Sequence, residues 1–160
     1  MSAPVTTDSI WNELERQLFG VLGMVSAKGE ARTAGIVFHA HERKLYIGTE
    51  RASWKAKHIA RNPGVSLTVC IPKRVPFLPF IPIPAATITC HGDARVLDPA
   101  QAPPKAVHAL FRGLEEMPEA RKTCIIELSP KGDFVTYGVG VSLLTMRKTQ
   151  AARGRAPVDG

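Results

Sequence analysis

Ten consecutive residues, Gly48-Thr49-Glu50-Arg51-Ala52-Ser53-Trp54-Lys55-Ala56-Lys57, bring two hydroxyls and three cations to a point where a strand-like run ends and a helix-like run begins. The chemistry that suits them is the holding of an anion, a phosphate group above all. The first amides of a helix have no partner inside it, its dipole favours negative charge there, and Ser53 and Lys55 would add a hydroxyl donor and a full charge. Arg32, on an upstream strand, would supply a second cation if the strands lie side by side. A plain surface helix with a serine cap and solvated lysines accounts for the same residues, since such caps are common.

Other reactive side chains form no comparable cluster. His39 and His41 lie two apart and so share a face of a strand, as two metal ligands would. No H-x-x-x-H, C-x-x-C or suitably spaced carboxylate joins them, and no metal site is expected. Cys70, Cys90 and Cys124 are odd in number and far apart, which fits reduced, buried thiols better than a disulfide framework. His58, His91 and His108 stand alone, and Glu115-Glu116 reads as a solvated acidic patch. No G-x-S-x-G, P-loop or G-x-G-x-x-G occurs, so no catalytic acid, base or nucleophile is singled out.

The elements that must position these residues follow from periodicity. Thr7 or Asp8 caps a helix in which Ile10, Leu14 and Leu18 recur every four residues. Three strands joined by short turns follow: Val21 to Ser26, Thr33 to Phe38 and Leu45 to Thr49. Ser53 opens a short helix to about Ala60, Asn62-Pro63-Gly64 ends it, and Val65 to Ile71 makes a fourth strand. Pro72 to Pro84 holds five of the 13 prolines, interleaved with Val75, Phe77, Leu78, Phe80, Ile81 and Ile83. It reads as an apolar extended loop that covers a cavity, packs on a partner subunit, or crosses over its own barrel. Ala86 to Leu97 forms a long strand, Pro103-Pro104 opens a helix, and Thr123 to Leu128 and Phe134 to Tyr137 are two closing strands. Strands with single inserted helices, instead of regular βαβ alternation, predict a mainly β fold with a closed antiparallel barrel.

With 160 residues, 44% apolar and 22% charged, the chain is long enough for one core and unlike a disordered or coiled-coil sequence. One domain over residues 1–146 is predicted, followed by a basic tail at 147–160 in which four cations face only Asp159. The net charge of +7 admits an anionic partner of some kind. The first eight residues lack a basic stretch followed by an apolar one, and the longest apolar run is broken by prolines, so a cytoplasmic protein with no membrane partner is expected.

In order, "VLGMVSA", "KGE", "ARTAGIVFHA", "KLYIGTE" and "SWKAKHIARNPGVSLTV" resemble the pyridoxamine 5'-phosphate oxidase-like family of flavin-binding split β-barrels, and "ITCHGDARVL" extends the likeness to roughly residues 10 to 140. The resemblance implies a six-stranded antiparallel split barrel of the FMN-binding type, forming a homodimer with flavin mononucleotide at the subunit interface. It places Ser53 and Lys55 on the flavin phosphate and Thr49 as a further hydroxyl contact. Arg32 or Thr33, with Ile36 and Val37, would line the ribityl chain and ring. Trp54 stands where the family has Arg, removing a phosphate-binding fork, and Thr87 falls near a Gln of the true oxidases. The implied function is an FMN-dependent oxidoreductase moving a hydride to or from a small substrate, distinct from pyridoxamine phosphate oxidation itself. The alternatives are a deazaflavin coenzyme in the same corner, or a flavin-binding store or sensor without turnover. Haem ranks low, because the haem-using branch relies on a histidine near the C-terminus and the last one here is His108. A nucleic-acid module stacking bases on Trp54, Phe77 and Phe80 is weaker still, since no cations are interleaved with those aromatics.

Overall fold

Thr6, one residue earlier than expected, caps the first helix, α1 (Thr7–Leu14), through a reciprocal hydrogen-bond pair with Ser9. The computed structural model describes residues 5–75, 77–78, 80–81, 83–112 and 122–160; Glu115-Glu116 lies outside them. Ile10, Trp11 and Leu14 are buried, but the helix stops at Leu14 and Leu18 is exposed. The four-residue spacing ran past the helix end because the Leu18 carbonyl is already taken by the amide of Phe38 on a neighbouring strand.

Three antiparallel strands follow, β1 (Phe19–Val25), β2 (Ala31–His41) and β3 (Lys44–Glu50), then α2 (Trp54–Arg61), β4 (Gly64–Ile71) and β5 (Ala86–Leu97). After a short 3-10 turn (Pro99–Gln101) and α3 (Pro104–Leu110) comes β6 (Thr123–Tyr137). Strand order is β3-β2-β1-β4-β5-β6 with a last strand, β7 (Arg153–Pro157), beside β6, and β3 also pairs with β6, which closes β1 to β6 into an antiparallel barrel. The inward-facing residues of the six strands alternate with outward ones and fill the barrel with Leu22, Ile36, Phe38, Leu45, Ile47, Leu67, Ile88, Ile126 and Phe134. Ile59 of α2 joins that core, and α2 packs on β1 and β5. A second apolar cluster, with Tyr46, Ile125, Ala106 and Phe111, holds α3 on the outside of β3 and β6.

Two segments differ from the sequence reading. The expected pair of closing strands is one 15-residue strand, β6, which continues through Pro130 because Pro130 faces Gly92. A Cβ at Gly92 would sit 2.2 Å from the Ser129 carbonyl, so only glycine allows that approach. The register then shifts between Thr89 and His91 where β6 turns at Gly132 (φ 72°). The basic tail is likewise built into the fold. After α4 (Leu143–Met146) and α5 (Thr149–Ala152), β7 (Arg153–Pro157) pairs with β6. Ala156 and Val158 are buried, and the Val158 carbonyl accepts the Trp11 indole N–H at 3.4 Å. The tail escaped detection because five residues with two arginines carry little strand signal until a partner edge exists.

At the β3–β6–β5 seam, Glu127 is paired across to Tyr46 and to Arg95, and is itself buried. Its carboxylate accepts hydrogen bonds from Arg95 Nε (2.7 Å), Lys44 Nζ (3.2 Å) and the Tyr46 hydroxyl (3.3 Å). Burial pushes the carboxyl up, but the hydrogen bonds and charges of Arg95 and Lys44 outweigh it, and Glu127 titrates below the ordinary 4.5. Burial, and then the Glu127 charge, push the Tyr46 hydroxyl up to about 12. Because the Glu127 pKa falls on folding, its contribution is complete above about pH 4.5 and is lost as pH falls through the folded value. Urea unfolding should therefore show stability declining below that pH. Glu127→Gln should cost roughly 1–3 kcal/mol at pH 7 and show a shallower acid decline.

Candidate functional site

The β2–β3 ladder is short. Its register runs only from His41↔Lys44 to Phe38↔Ile47, although both strands continue. Beyond it, Ala31 to Val37 of β2 pair on the β1 side and Gly48 to Glu50 of β3 pair on the β6 side. The two strands therefore part, and among the described residues neither facing edge has a strand partner along this stretch. Such edges leave amides and carbonyls to be satisfied by something other than the sheet. β3 ends at Glu50, and the chain then turns, the Ser53 amide donating to the Glu50 carbonyl at 3.0 Å, to start α2. Next to the split, α3 packs on both strands, with the Phe111 ring against Gly48.

The head of α2 lies at the open end of this split. Ser53 is its N-cap, accepting the Ala56 amide at 3.3 Å, and Thr49 Oγ1 donates to Ser53 Oγ at 3.2 Å. The first turn of the helix holds no acidic residue. Lys55 Nζ stands 5.6 Å from the centroid of the half-exposed Trp54 ring, which in turn meets His58 edge-on. Arg51 is committed elsewhere, to Asp98 and the Thr123 carbonyl, and fixes the exit of β3. Of the residues singled out from sequence, Thr49 and Ser53 are joined by a hydrogen bond, Lys55 lies beside Trp54, and Arg51 is drawn away to Asp98.

Across the split the expected residues divide by face. Ile36 is inside the core, so only its backbone borders the split, whereas Val37 is 58% exposed. Arg32 and Thr33 line a groove of about 550 Å³ on the outer surface, across which Thr33, Gly23, Ser66, His91 and Lys131 form one cross-strand row. Gly23 leaves room in that row for the Ser66 hydroxyl, which would have to rotate away from a Cβ there, 2.5 Å distant. Both flanking cations have carboxylate partners, Arg32 with Glu30 (2.6 Å) and Lys131 with Asp93 (2.9 Å). A second groove, of about 600 Å³, is lined by Thr87, Thr89, Tyr137, Thr149, Arg153 and Arg155. The sequence reading missed it by leaving both arginines in a tail; the signal was their i, i+2 spacing, which on a strand puts them on one face.

The remaining candidates resolve simply. His39 and His41 stack at 6.3 Å, and burial, then the charge of His41, keep His39 below its ordinary pKa. Among the described residues no three His, Cys, Asp or Glu side chains are grouped to hold a metal. Cys90 and Cys124 are buried, and burial pushes the Cys90 thiol up to about 12, but Cys70 is exposed, against expectation, because it alternates onto the outer face of β4. Among the described residues no helix is long and apolar enough to cross a membrane.

A closed antiparallel barrel of six strands, parted between β2 and β3 and carrying a capped helix at the parting, is a split β-barrel of the pyridoxamine 5'-phosphate oxidase type. Residues 6–132 match the family model for pyridoxamine 5'-phosphate oxidase, and the chain belongs to that family. Solved structures of the same fold include general stress protein 26 from Bacillus anthracis (20% identity, TM-score 0.56, covering 82% of this chain and 91% of that one). An F420 reductase aligns at 22% identity and TM-score 0.54, over 76% and 91% of the two chains. A haem-binding protein from Mycobacterium smegmatis aligns at 10% identity and TM-score 0.71, over 99% of this chain and 60% of its own. At these identities the likeness is one of fold. No curated protein matches the chain by sequence.

The head of α2 separates structural from binding roles. Ser53→Ala removes the cap and should lower stability by about 0.5–2 kcal/mol. Lys55→Ala breaks no ion pair within the described residues and should stay within about 0.5 kcal/mol of the parent. Urea unfolding of the ligand-free protein checks both; a large loss for Lys55→Ala would assign that lysine to the fold.

Proposed function

We propose that the protein is a homodimeric oxidoreductase that binds flavin mononucleotide in the β2–β3 split, with the phosphate at the head of α2. The observation that carries this reading is the coincidence of the split with an acid-free helix start bearing Thr49, Ser53 and Lys55. The residues present fit the group. The first helical turn, two hydroxyls and a lysine with no carboxylate partner among the described residues suit a phosphate. With Trp54 in place of a guanidinium, the phosphate would rest on Lys55 and backbone amides, with the exposed Trp54 ring as an apolar wall. The β2 edge from Thr33 to Val37 offers main-chain groups to the ring, and Val37 an apolar contact.

When bound, a flavin supplies the hydride transfer. The chain's own part is to anchor the phosphate, to orient the ring against β2 and to limit water beside it with α3. Among the described residues no side chain in the split is placed as an acid or base, which hydride transfer does not require.

The second copy has a surface to meet. On the outer face, Val37, Phe19, Val21 and Val135 are 58%, 56%, 37% and 45% exposed and fall in two adjacent cross-strand rows. The Phe19 ring lies over Gly35, leaving that part of the sheet flat enough for a like surface to approach.

The absorption spectrum of the purified protein, with mass spectrometry of what denaturation releases, should reveal FMN. A deazaflavin in that fraction would keep the site and change the cofactor, and failure to take up either would overturn the reading. Lys55→Ala should weaken FMN binding by about 1–3 kcal/mol, the cost of a lost charge-assisted hydrogen bond. Phe19→Glu should convert a dimer into a folded monomer in light scattering; an unchanged mass would move the interface elsewhere.

A further inference from the structure

The end of the barrel where β4 hands over to β5 carries a chemistry the site does not use. Within the loop from 72 to 85, Phe77 is 99% exposed, Phe80 77%, Leu78 42% and Ile81 41%. Phe77 and Phe80 therefore project from the barrel, while Leu78 and Ile81 beside them are partly covered. Two cations, Lys73 and Arg74, stand at its neck.

A second segment converges on the same end. The loop returns at Ala86, and Ala86 and the Met146 side chain both crowd Gly138. Thr87 pairs with Tyr137, whose hydroxyl donates to the Met146 carbonyl at 2.8 Å. The residues that follow, Arg147 and Lys148, are exposed, and so is Leu144 one turn earlier, at 76%. Neither segment brings an acid: residues 66–92 and 134–158 contain no Asp or Glu. The fold thus gathers projecting apolar side chains, with four cations around them, at one pole.

We propose that this pole is a membrane-surface site, in which the side chains of Phe77, Leu78, Phe80 and Ile81 enter the headgroup region of a bilayer and Lys73, Arg74, Arg147 and Lys148 meet anionic lipid headgroups. Charge favours lipid over a second copy of the chain. A twofold contact here would set a cationic pole against its own sign, whereas an anionic leaflet attracts each lysine and arginine near its surface. Shape agrees, since a convex tip suits insertion to a shallow depth and the flat outer sheet suits a protein partner. The sequence expectation of no membrane partner rested on the lack of a spanning segment, which has no bearing on surface attachment. The proposal is independent of the cofactor.

Sedimentation of the full-length protein with vesicles of phosphatidylcholine alone, or mixed with phosphatidylglycerol, tests it. The protein should pellet with the mixed vesicles and much less with phosphatidylcholine alone. Phe77→Ser with Phe80→Ser should weaken binding at least about tenfold, and Lys73→Ala with Arg74→Ala about 10- to 30-fold. Phe77, Phe80 and Arg74 are exposed and Lys73 is half-buried, and both variants should keep the parent's melting temperature and light-scattering mass. Absence of binding to mixed vesicles overturns the proposal. So does binding that survives the Phe double variant, which would be adsorption of a +7 protein, or a fall in mass for that variant, which would assign the tip to a second copy.

Discussion

Closure of the barrel rests on how β6 divides its edges. One edge runs along β5 for nearly the whole strand, while the other serves β3 over Thr123 to Leu128 and β7 over Asp133 to Tyr137. A strand has only two edges, so β3 and β7 share one by occupying different lengths of it. Beyond Ile47, β3 stays with β6 and leaves β2, and the split between them opens. The same division stitches the C-terminal segment to the body, where Val158 meets Trp11 and Gly132. Glu127 sits where β3, β5 and β6 share this arrangement, and its three donors come from β3 and β5. A buried carboxylate is tolerable only when so satisfied, which makes this seam sensitive to acid.

The parting of β2 from β3 matters because of what lies at its mouth. Ser53 caps α2 while standing beside Thr49 and Lys55, so one short stretch both starts the helix and presents its positive end. Capping and anion binding draw on the same physical fact, the unpaired amides of a first helical turn. The serine secures the helix, and the lysine, which holds no carboxylate among the described residues, lies beside the Trp54 ring.

The outside of the barrel is as differentiated as its inside. Glycines at 23 and 35 and small hydroxyls at 66, 68 and 89 thin the outer face, leaving grooves at two places and an exposed apolar strip between them. The pole at the β4–β5 loop is a third zone, apolar at its tip and cationic at its base. Because core residues alternate with outer ones along each strand, each of these surfaces is written in the residues between those that build the core.

The sequence by itself determined the class of fold, the order of the first five strands, the capped helix at Ser53 and the cluster around it. Those features are local: alternation, a cap and a turn residue each act within a few positions. Tertiary structure decided the rest. It merged two expected strands into β6, because Gly92 lets Pro130 through, and it turned a basic tail into β7, because an unfilled edge of β6 was waiting. It also put Ile36 inward and Val37 outward, parted β2 from β3 beyond Ile47, and brought Met146 against Gly138 and Ala86, where β5 begins. Each of these depends on which strand edges meet, and edge pairing joins residues tens of positions apart that no window of sequence compares.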